Sequence, residues 1–249
     1  MRYFLQLSYN GKAYHGWQNQ PNAISVQEVL EKALSTLFKD TITIMGAGRT
    51  DAGVHALEMY AHFDFEQKIE SKDLVYKLNS FLPKDIAIID VFEVEGAAHA
   101  RFDAISRTYH YKISTLKNVL DYDFAYQVQL PLDVEAMNEA CKILFQYKDF
   151  QCFSKSKTDV KTYNCDIKEA FWTQKNNQLV FTITADRFLR NMVRAVVGTM
   201  VNIGLGKLNL EDLHKIIASK NRSEAGFSVP AHGLYLVNIT YPKTQRKEN

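Results

Sequence analysis

The chain has 249 residues, 46% of them hydrophobic and 23% charged, and 30 basic against 28 acidic side chains give a net charge of +2. This composition is ordinary for a globular protein of one large or two smaller domains, and the balance of charges does not by itself indicate nucleic acid. No apolar run is long enough to span a bilayer, and the amino terminus lacks the apolar core of a signal peptide. Three cysteines without metal-ligand spacing argue against a disulfide framework, so we expect reduced thiols in a cytoplasmic protein.

The first hundred residues predict alternating strands and helices. In chain order these are a strand (2–9), a helix (25–38), strands (41–45 and 57–65), a helix (from 71) and a strand (86–94). The first helix has apolar residues at i, i+3, i+4 and i+7, and Ser25 and Glu28 have capping-box spacing at its start. Ser71 is placed to cap the second helix, which Pro83 ends. The order β-α-β-β-α-β is that of a split-βαβ, or ferredoxin-like, unit.

The remaining residues are predicted to repeat this order. The elements are a strand (106–115), a helix (133–146), strands (near 163–173 and 178–185), helices (188–203 and 210–219) and a strand (234–241). We therefore predict an α+β fold of two ferredoxin-like halves, residues 1–105 and 106–249. Their antiparallel sheets are expected to form a central cleft, which is the natural place for a ligand.

Residues 46–56, GAGRTDAGVHA, place three glycines around an arginine and an aspartate without apolar periodicity. A dinucleotide fingerprint needs a glycine where Asp51 stands, and a P-loop needs Gly-Lys-Ser/Thr, so neither nucleotide motif fits. Asp51, His55 and His62 lie on a turn that runs into a strand. Because that geometry does not bring their side chains together, we expect no metal site.

Two interpretations of Asp51 remain open on local sequence. The first, which the turn-like composition favours, is an Asx turn in a β-hairpin, with Gly46, Gly48 and Gly53 at positive φ. The second is a carboxylate held by a tight backbone in a cleft, where it serves as nucleophile or base. Burial raises the pKa of a carboxyl group, so this role requires a cationic partner.

The run ADRFLRNMVRAVVGTM offers such a partner. If it is helical, Arg187, Arg190 and Arg194 share one face at i, i+3 and i+7. A solvated basic stripe accounts well for the first two, whereas Arg194 stands between apolar residues in the middle of the predicted helix, where a buried ion pair fits. Tyr109, on a predicted strand that it shares with Tyr111, is either a core residue or a stacking surface for a base.

Basic residues also concentrate in three stretches, 99–117, 148–161 and 187–194, with aromatic residues interleaved. Basic and aromatic side chains together suit a polyanion whose bases can stack. On charge alone, three solvated faces remain the simpler interpretation.

Motifs in collinear order distinguish between these alternatives. They are SYNGKAYHGWQNQPNAISVQEVLEKAL, GAGRTDAGVHA, LPKDIAI, HARFDAISRTYHYKI, FLRNMVRAVVG and HGLYLVNITYP. Along nearly its whole length the chain resembles the TruA family of tRNA pseudouridine synthases. The resemblance implies isomerisation of uridine to pseudouridine in tRNA, usually at uridines 38, 39 and 40 of the anticodon stem-loop. It also implies no cofactor, two ferredoxin-like halves, and a homodimer in which one tRNA can touch both subunits.

The resemblance also implies roles for four residues. Asp51 matches the catalytic aspartate, which attacks C6 of the base or C1′, or instead removes the C2′ proton to give a glycal. Arg194 matches the basic residue that pairs with it, and Tyr109 matches the tyrosine that packs on the target base. Arg49 matches the arginine that contacts the RNA backbone and helps extrude the nucleotide, a step that costs a few kcal/mol. The rival hypotheses are a non-catalytic tRNA-binding protein, although no RNP-like strand occurs, and an RNA chaperone.

Overall fold

The computed structural model describes residues 1–156 and 160–242, and the chain divides into two compact units. The first unit comprises Met1–Ile105 and the described residues from Leu236 onward, and the second unit is Ser106–Tyr235. The described residues form a mixed α/β protein with nine β-strands and five α-helices. No helix in this described part has both the length and the apolar character needed to cross a membrane. Part of the basic stretch 148–161 and the last seven residues of the predicted second half lie outside it.

The first unit follows the predicted order of elements. These are β1 (Arg2–Tyr9), α1 (Val26–Phe38), β2 (Met45–Gly46), β3 (His55–Asp64), α2 (Ser71–Phe81) and β4 (Ile86–Val94). β1 is antiparallel to β3 on one side and to β4 on the other, and β2 pairs with β3 over two residues. Four residues of the apolar stripe of α1 are buried: Val26, Leu30, Ala33 and Leu34. The Ser25 side chain accepts a hydrogen bond from the N–H of Glu28 at 3.1 Å, as its capping position predicts.

Two predictions for this unit are wrong. The strand expected over 41–45 is reduced to β2, because the preceding backbone bonds to side chains of α1 instead of to a strand. The N–H of Ile42 donates to Ser35 Oγ at 2.9 Å, and that of Ile44 donates to Glu31 Oε1 at 3.0 Å. Ser71 does not cap α2, because it is the first helical residue, and the cap position before it makes no side-chain cap hydrogen bond.

The second unit also contains the predicted elements, with one addition. They are β5 (Ser106–Ser114), β6 (Tyr126–Gln127), α3 (Val134–Leu144), β7 (Ile167–Lys175), β8 (Gln178–Ala185), α4 (Met192–Gly204) and α5 (Leu210–Ser219). β8 lies between β5 and β7 and is antiparallel to both, whereas β6, which was not predicted, is parallel to β5. The last strand, β9 (Leu234–Thr240), begins in the second unit and continues into the first.

The helix that carries Arg194 is shorter than predicted. α4 begins only at Met192, because Asn191 has a left-handed backbone with φ of 68°, which interrupts a right-handed helix. Arg187 and Arg190 therefore precede the helix, and the predicted stripe of three arginines on one helical face is wrong. Every residue of α4 is buried except Arg194 and Asn202, so the helix is part of the core and Arg194 is an exception on it.

Candidate active site

Asp51 lies in the loop 47–54 between β2 and β3, which we call the aspartate loop. At its two ends the N–H of Ala47 donates to the Tyr60 carbonyl at 2.8 Å, and that of Val54 donates to the Asp51 carbonyl at 3.2 Å. The Asp51 side chain is half-buried. Arg49 is two residues away in the same loop and is exposed. One short loop therefore holds a partly buried carboxylate near a guanidinium that faces solvent.

Only one of the three glycines in this stretch has the predicted backbone. Gly53 has φ of 79°, whereas Gly46 and Gly48 do not adopt positive φ, so that prediction is wrong for these two. Gly46 is needed for a different reason: a Cβ at this position would overlap the indole of Trp17. The glycine therefore serves close packing rather than a left-handed turn.

Residues 10–17 pack along the aspartate loop, and we call them the brace. The N–H of Gly53 donates to the carbonyl of Tyr14 at 3.2 Å, and the N–H of Trp17 donates to the carbonyl of Thr50 at 3.4 Å. The Thr50 hydroxyl is also 2.9 Å from the hydroxyl of Tyr9, the last residue of β1. Backbone and side-chain bonds therefore fix the residues on both sides of Asp51.

The brace approaches the loop so closely that two of its own positions must be glycine. A Cβ at Gly11 would overlap the carbonyl oxygen of Val54, and one at Gly16 would overlap that of Thr50. Gly16 also has φ of 89°, where a side chain would be strained. In the sequence, NGKAYHGW belongs to a motif of the family, and no local pattern predicts this packing role.

The brace is itself anchored to the start of β4. The N–H of Asn10 donates to the carbonyl of Asp85 at 2.9 Å, and the Tyr14 hydroxyl donates to Asp85 Oδ1 at 2.6 Å. Burial and the hydrogen bond to this carboxylate raise the pKa of Tyr14 well above its usual range, so its hydroxyl stays protonated and keeps donating.

In the second unit, Arg194 is fixed by a segment far along the chain. Its Nε donates to the carbonyl of Val229 at 2.7 Å, and the N–H of Val229 donates back to the Arg194 carbonyl at 3.3 Å. We call residues 226–230 the arginine seat. This pair of bonds fixes the stem of the half-buried Arg194 side chain and sets the direction of its guanidinium.

The seat is clamped by two further side chains and by one close approach. Ser228 Oγ accepts from Asn191 Nδ2 at 2.7 Å and from Arg222 Nη2 at 2.8 Å. A Cβ at Gly198 of α4 would overlap the carbonyl oxygen of Phe227, so the seat lies directly on the helix backbone there. Sequence reasoning missed Ser228 and Arg222, because no local pattern connects them with a helix about 30 residues earlier.

Tyr109 lies on β5 opposite Ile183 of β8, and its half-buried ring meets Phe188 edge to face at 5.1 Å between centroids. Tyr111, two residues on, is fully buried and donates to the carbonyl of Pro230 in the arginine seat at 2.9 Å. Burial raises the pKa of Tyr111 above its usual range, and the charge of Arg194 opposes this in part. Tyr111 therefore links the strand of Tyr109 to the seat of Arg194.

The four predicted site residues divide between the units, with Arg49 and Asp51 in the first and Tyr109 and Arg194 in the second. Within the described residues, no group of three or more His, Cys, Asp or Glu side chains is arranged to hold a metal ion.

Comparison with known proteins gives the family to which the chain belongs. A family described as tRNA pseudouridine synthase matches residues 7–103 and 140–242, which include both the aspartate loop and α4. The chain belongs to the tRNA pseudouridine synthase family.

Relatives named tRNA pseudouridine synthase A match the chain over almost its full length. The protein of Parabacteroides distasonis is 54% identical over 245 residues, which cover 97% of this chain and 96% of that protein. The one from Bacteroides fragilis is 52% identical over 244 residues, 97% of each chain. A more distant protein, from Thermoanaerobacter pseudethanolicus, is 39% identical over 245 residues, 95% of this chain and 98% of its own.

Proposed function

We propose that this protein converts uridine to pseudouridine in tRNA, at positions 38, 39 and 40 of the anticodon stem-loop. The activity follows from the family match, which includes the intact Arg-Thr-Asp sequence of the aspartate loop. In the reaction the C1′–N1 bond breaks, the uracil turns, and C5 is joined to C1′ while a proton moves from C5 to N1. Nothing is oxidised and no group is imported, so the chemistry requires no cofactor.

Asp51 is the catalytic residue of this proposal. It attacks C6 or C1′, or it removes the C2′ proton, and each role requires the ionised carboxylate. The bonds from the brace and from Tyr9 to the neighbours of Asp51 support the role, because a catalytic group must be held close to its productive geometry. Arg194 is the cation that keeps the carboxylate ionised and oriented, and the bond from its Nε to Val229 gives it a fixed direction.

Tyr109 and Arg49 act on the RNA. Tyr109 packs against the target base, and the support is its half-buried ring, which Phe188 holds edge to face. Arg49 contacts the phosphate backbone and helps to draw the nucleotide out of its stack, and the support is its exposed position two residues before Asp51. Removing Arg49 is therefore expected to weaken binding of RNA more than it slows chemistry.

The architecture and assembly belong to the same proposal. Each half, 1–105 and 106–249, is ferredoxin-like. In the first unit, two observations support this: the elements follow the order β-α-β-β-α-β along the chain, and the strands lie in the spatial order β4, β1, β3, β2. In the second, β8 lies between β5 and β7 as the same topology requires.

The protein acts in the cytoplasm as a homodimer with tRNA as its partner. The free thiols of its three buried cysteines suit a reducing compartment.

Purified protein incubated with unmodified tRNA transcripts tests the activity. Carbodiimide treatment followed by primer extension is expected to show new stops at positions 38–40. A parallel preparation of Asp51→Asn controls for contaminating synthases and is expected to bind tRNA while giving no stops. No stops from either protein would favour the tRNA-binding or RNA-chaperone alternatives, whereas stops from both would refute the role of Asp51 or indicate a contaminating synthase. Mass spectrometry after incubation with 5-fluorouracil-substituted tRNA then shows whether an adduct with Asp51 forms.

A further inference from the structure

Residues 99–103, His-Ala-Arg-Phe-Asp, form a turn in the first unit that is closed by its own hydrogen bonds; we call it the HARFD turn. The N–H of His99 donates to Asp103 Oδ2 at 2.7 Å, and the N–H of Asp103 donates to the His99 carbonyl at 3.1 Å. His99 Nδ1 accepts from the N–H groups of Arg101 and Phe102 at 3.1 and 3.3 Å. Both ends and the middle of the turn are therefore fixed.

The HARFD turn is also fastened to the unit beneath it. The N–H of the buried Ala100 donates to Nδ1 of His62 on β3 at 3.2 Å, and its carbonyl accepts from the Tyr241 hydroxyl at 2.5 Å. Burial, with the nearby cation of Arg2, lowers the pKa of His62 to about 4, so its ring is neutral near pH 7 and Nδ1 remains an acceptor. The turn is thus a rigid feature of the first unit.

What this turn presents to solvent is a large aromatic ring. Phe102 is 73% exposed, and its ring is backed by that of His99 at 4.3 Å between centroids. His99 in turn rests against the ring of His62 at 4.6 Å. The guanidinium of Arg101 lies over the Phe102 ring, 5.5 Å from its centroid. A single exposed phenylalanine is common on protein surfaces, but here a fixed turn holds one outward, with a second ring behind it and a cation beside it.

We propose that the HARFD turn is a stacking platform for a base of the tRNA, with Phe102 contacting the base and Arg101 the neighbouring phosphate. Unstacked nucleotides are recognised by this pairing of an aromatic face with a cation. The cation beside the ring favours a polyanion over an apolar protein surface, and the rigid turn places the ring without an ordering cost on binding. The inference rests on the proposed function, which supplies an RNA with a nucleotide out of its stack.

Binding of a fluorescently labelled anticodon stem-loop RNA, followed by anisotropy at several salt concentrations, tests this platform. Phe102→Ala is expected to weaken binding about 5- to 100-fold, with an unchanged salt dependence, and Phe102→Trp to restore it. Arg101→Gln is expected to weaken binding and lower the slope of log K against log salt by about one. Tyr76 on α2 is also 73% exposed, so Tyr76→Ala is the matched control and is expected to bind like wild type.

Two outcomes would overturn the platform. One is equal RNA affinity of Phe102→Ala and Tyr76→Ala, with melting temperatures showing that both are folded. The other is a change in mass by light scattering for Phe102→Ala with unchanged RNA affinity, which would make the surface a protein interface. Formation of pseudouridine by wild type in the same preparations separates the hypotheses. An inactive wild type refutes the proposed function, whereas an active wild type with an unaffected Phe102 variant refutes the platform alone.

Discussion

Asp51 in the aspartate loop and Arg194 on α4, the two residues that we propose act in catalysis, are held by different means. Asp51 lies on irregular backbone, and the brace fixes that backbone through bonds to Thr50 and Gly53. Arg194 lies on a buried helix, whose backbone is already fixed by helical hydrogen bonds and packing. The arginine seat therefore fixes the side chain, through the bond from Nε to the carbonyl of Val229. Asp51 is thus positioned through the main chain around it, and Arg194 through its own side chain.

The two regions nevertheless share one device. In each, a remote segment comes close enough that the contact position must be glycine: Gly46 against Trp17 in the first unit and Gly198 against Phe227 in the second. Close backbone approach of this kind gives short, well-defined contacts. Substitutions in each region can show whether both depend on it and how much of the activity each one carries.

The largest expected effect is loss of the arginine. If Arg194 acts as proposed, Arg194→Met is expected to slow the chemical step about a thousandfold, because the carboxylate of Asp51 then lacks the cation that keeps it ionised, a cost of about 4 kcal/mol. Single-turnover formation of pseudouridine measures it. Arg190→Met is the matched control, since Arg190 is exposed and precedes the helix, and it should stay near wild type. If the Arg194 variant were active and the Arg190 variant inactive, the proposal would name the wrong arginine.

Sequence patterns predicted most elements, and the misses have physical causes. β4 and α5 occur with the predicted bounds, because their apolar spacing is set by one buried face. The early part of the predicted α4 failed because periodicity does not reveal a left-handed Asn191. The strand over 41–45 failed because alternating isoleucines look the same whether their N–H groups bond to a strand or to helix side chains.

The candidate site, like the fold, could be predicted only in part from the sequence. The sequence predicted a turn around Asp51, although only Gly53 of the three glycines has the predicted backbone. The roles of Asp51, Arg194, Tyr109 and Arg49 came from the family resemblance and remain proposals. The brace and the arginine seat could not be predicted, because each joins residues about 30 to 40 positions apart through a few close contacts. Such contacts leave no periodic signal in a single sequence.

The shared glycine device predicts the next largest effect. Gly46→Ala and Gly198→Ala are each expected to lower the free energy of unfolding by about 1–3 kcal/mol, because the added methyl group overlaps fixed atoms. No described atom beyond its chain neighbours lies within 4 Å of a Cβ built at Gly48, so Gly48→Ala should stay within about 0.5 kcal/mol of wild type. Urea unfolding measures all three. A Gly48 variant as unstable as the other two would remove the packing explanation.

A smaller effect is expected from loosening the arginine seat. Ser228→Ala removes the acceptor that Asn191 and Arg222 share, so the seat and the Arg194 side chain become less well fixed. We expect kcat to fall about tenfold with little change in KM, since a misplaced catalytic group costs rate rather than binding. Ser228→Thr keeps the hydroxyl and is expected to restore most of the rate. If KM rises while kcat holds, the seat contacts RNA instead of positioning Arg194.

The smallest effect is expected at the anchor of the brace. Tyr14→Phe removes the hydrogen bond to Asp85 and is expected to cost about 1 kcal/mol of unfolding free energy near pH 7, with modest loss of activity.

The pH dependence of the difference in unfolding free energy gives the sharper test. Folding raises the pKa of Tyr14, so its stabilising contribution is full below the pKa of an unfolded tyrosine, about 10, and declines as pH rises above it. Urea unfolding at pH 7 and above pH 10 should therefore show the gap between wild type and Tyr14→Phe narrowing. A gap that widens with pH would mean that the folded protein favours tyrosinate at this position, and the brace would then not depend on a donated hydrogen bond.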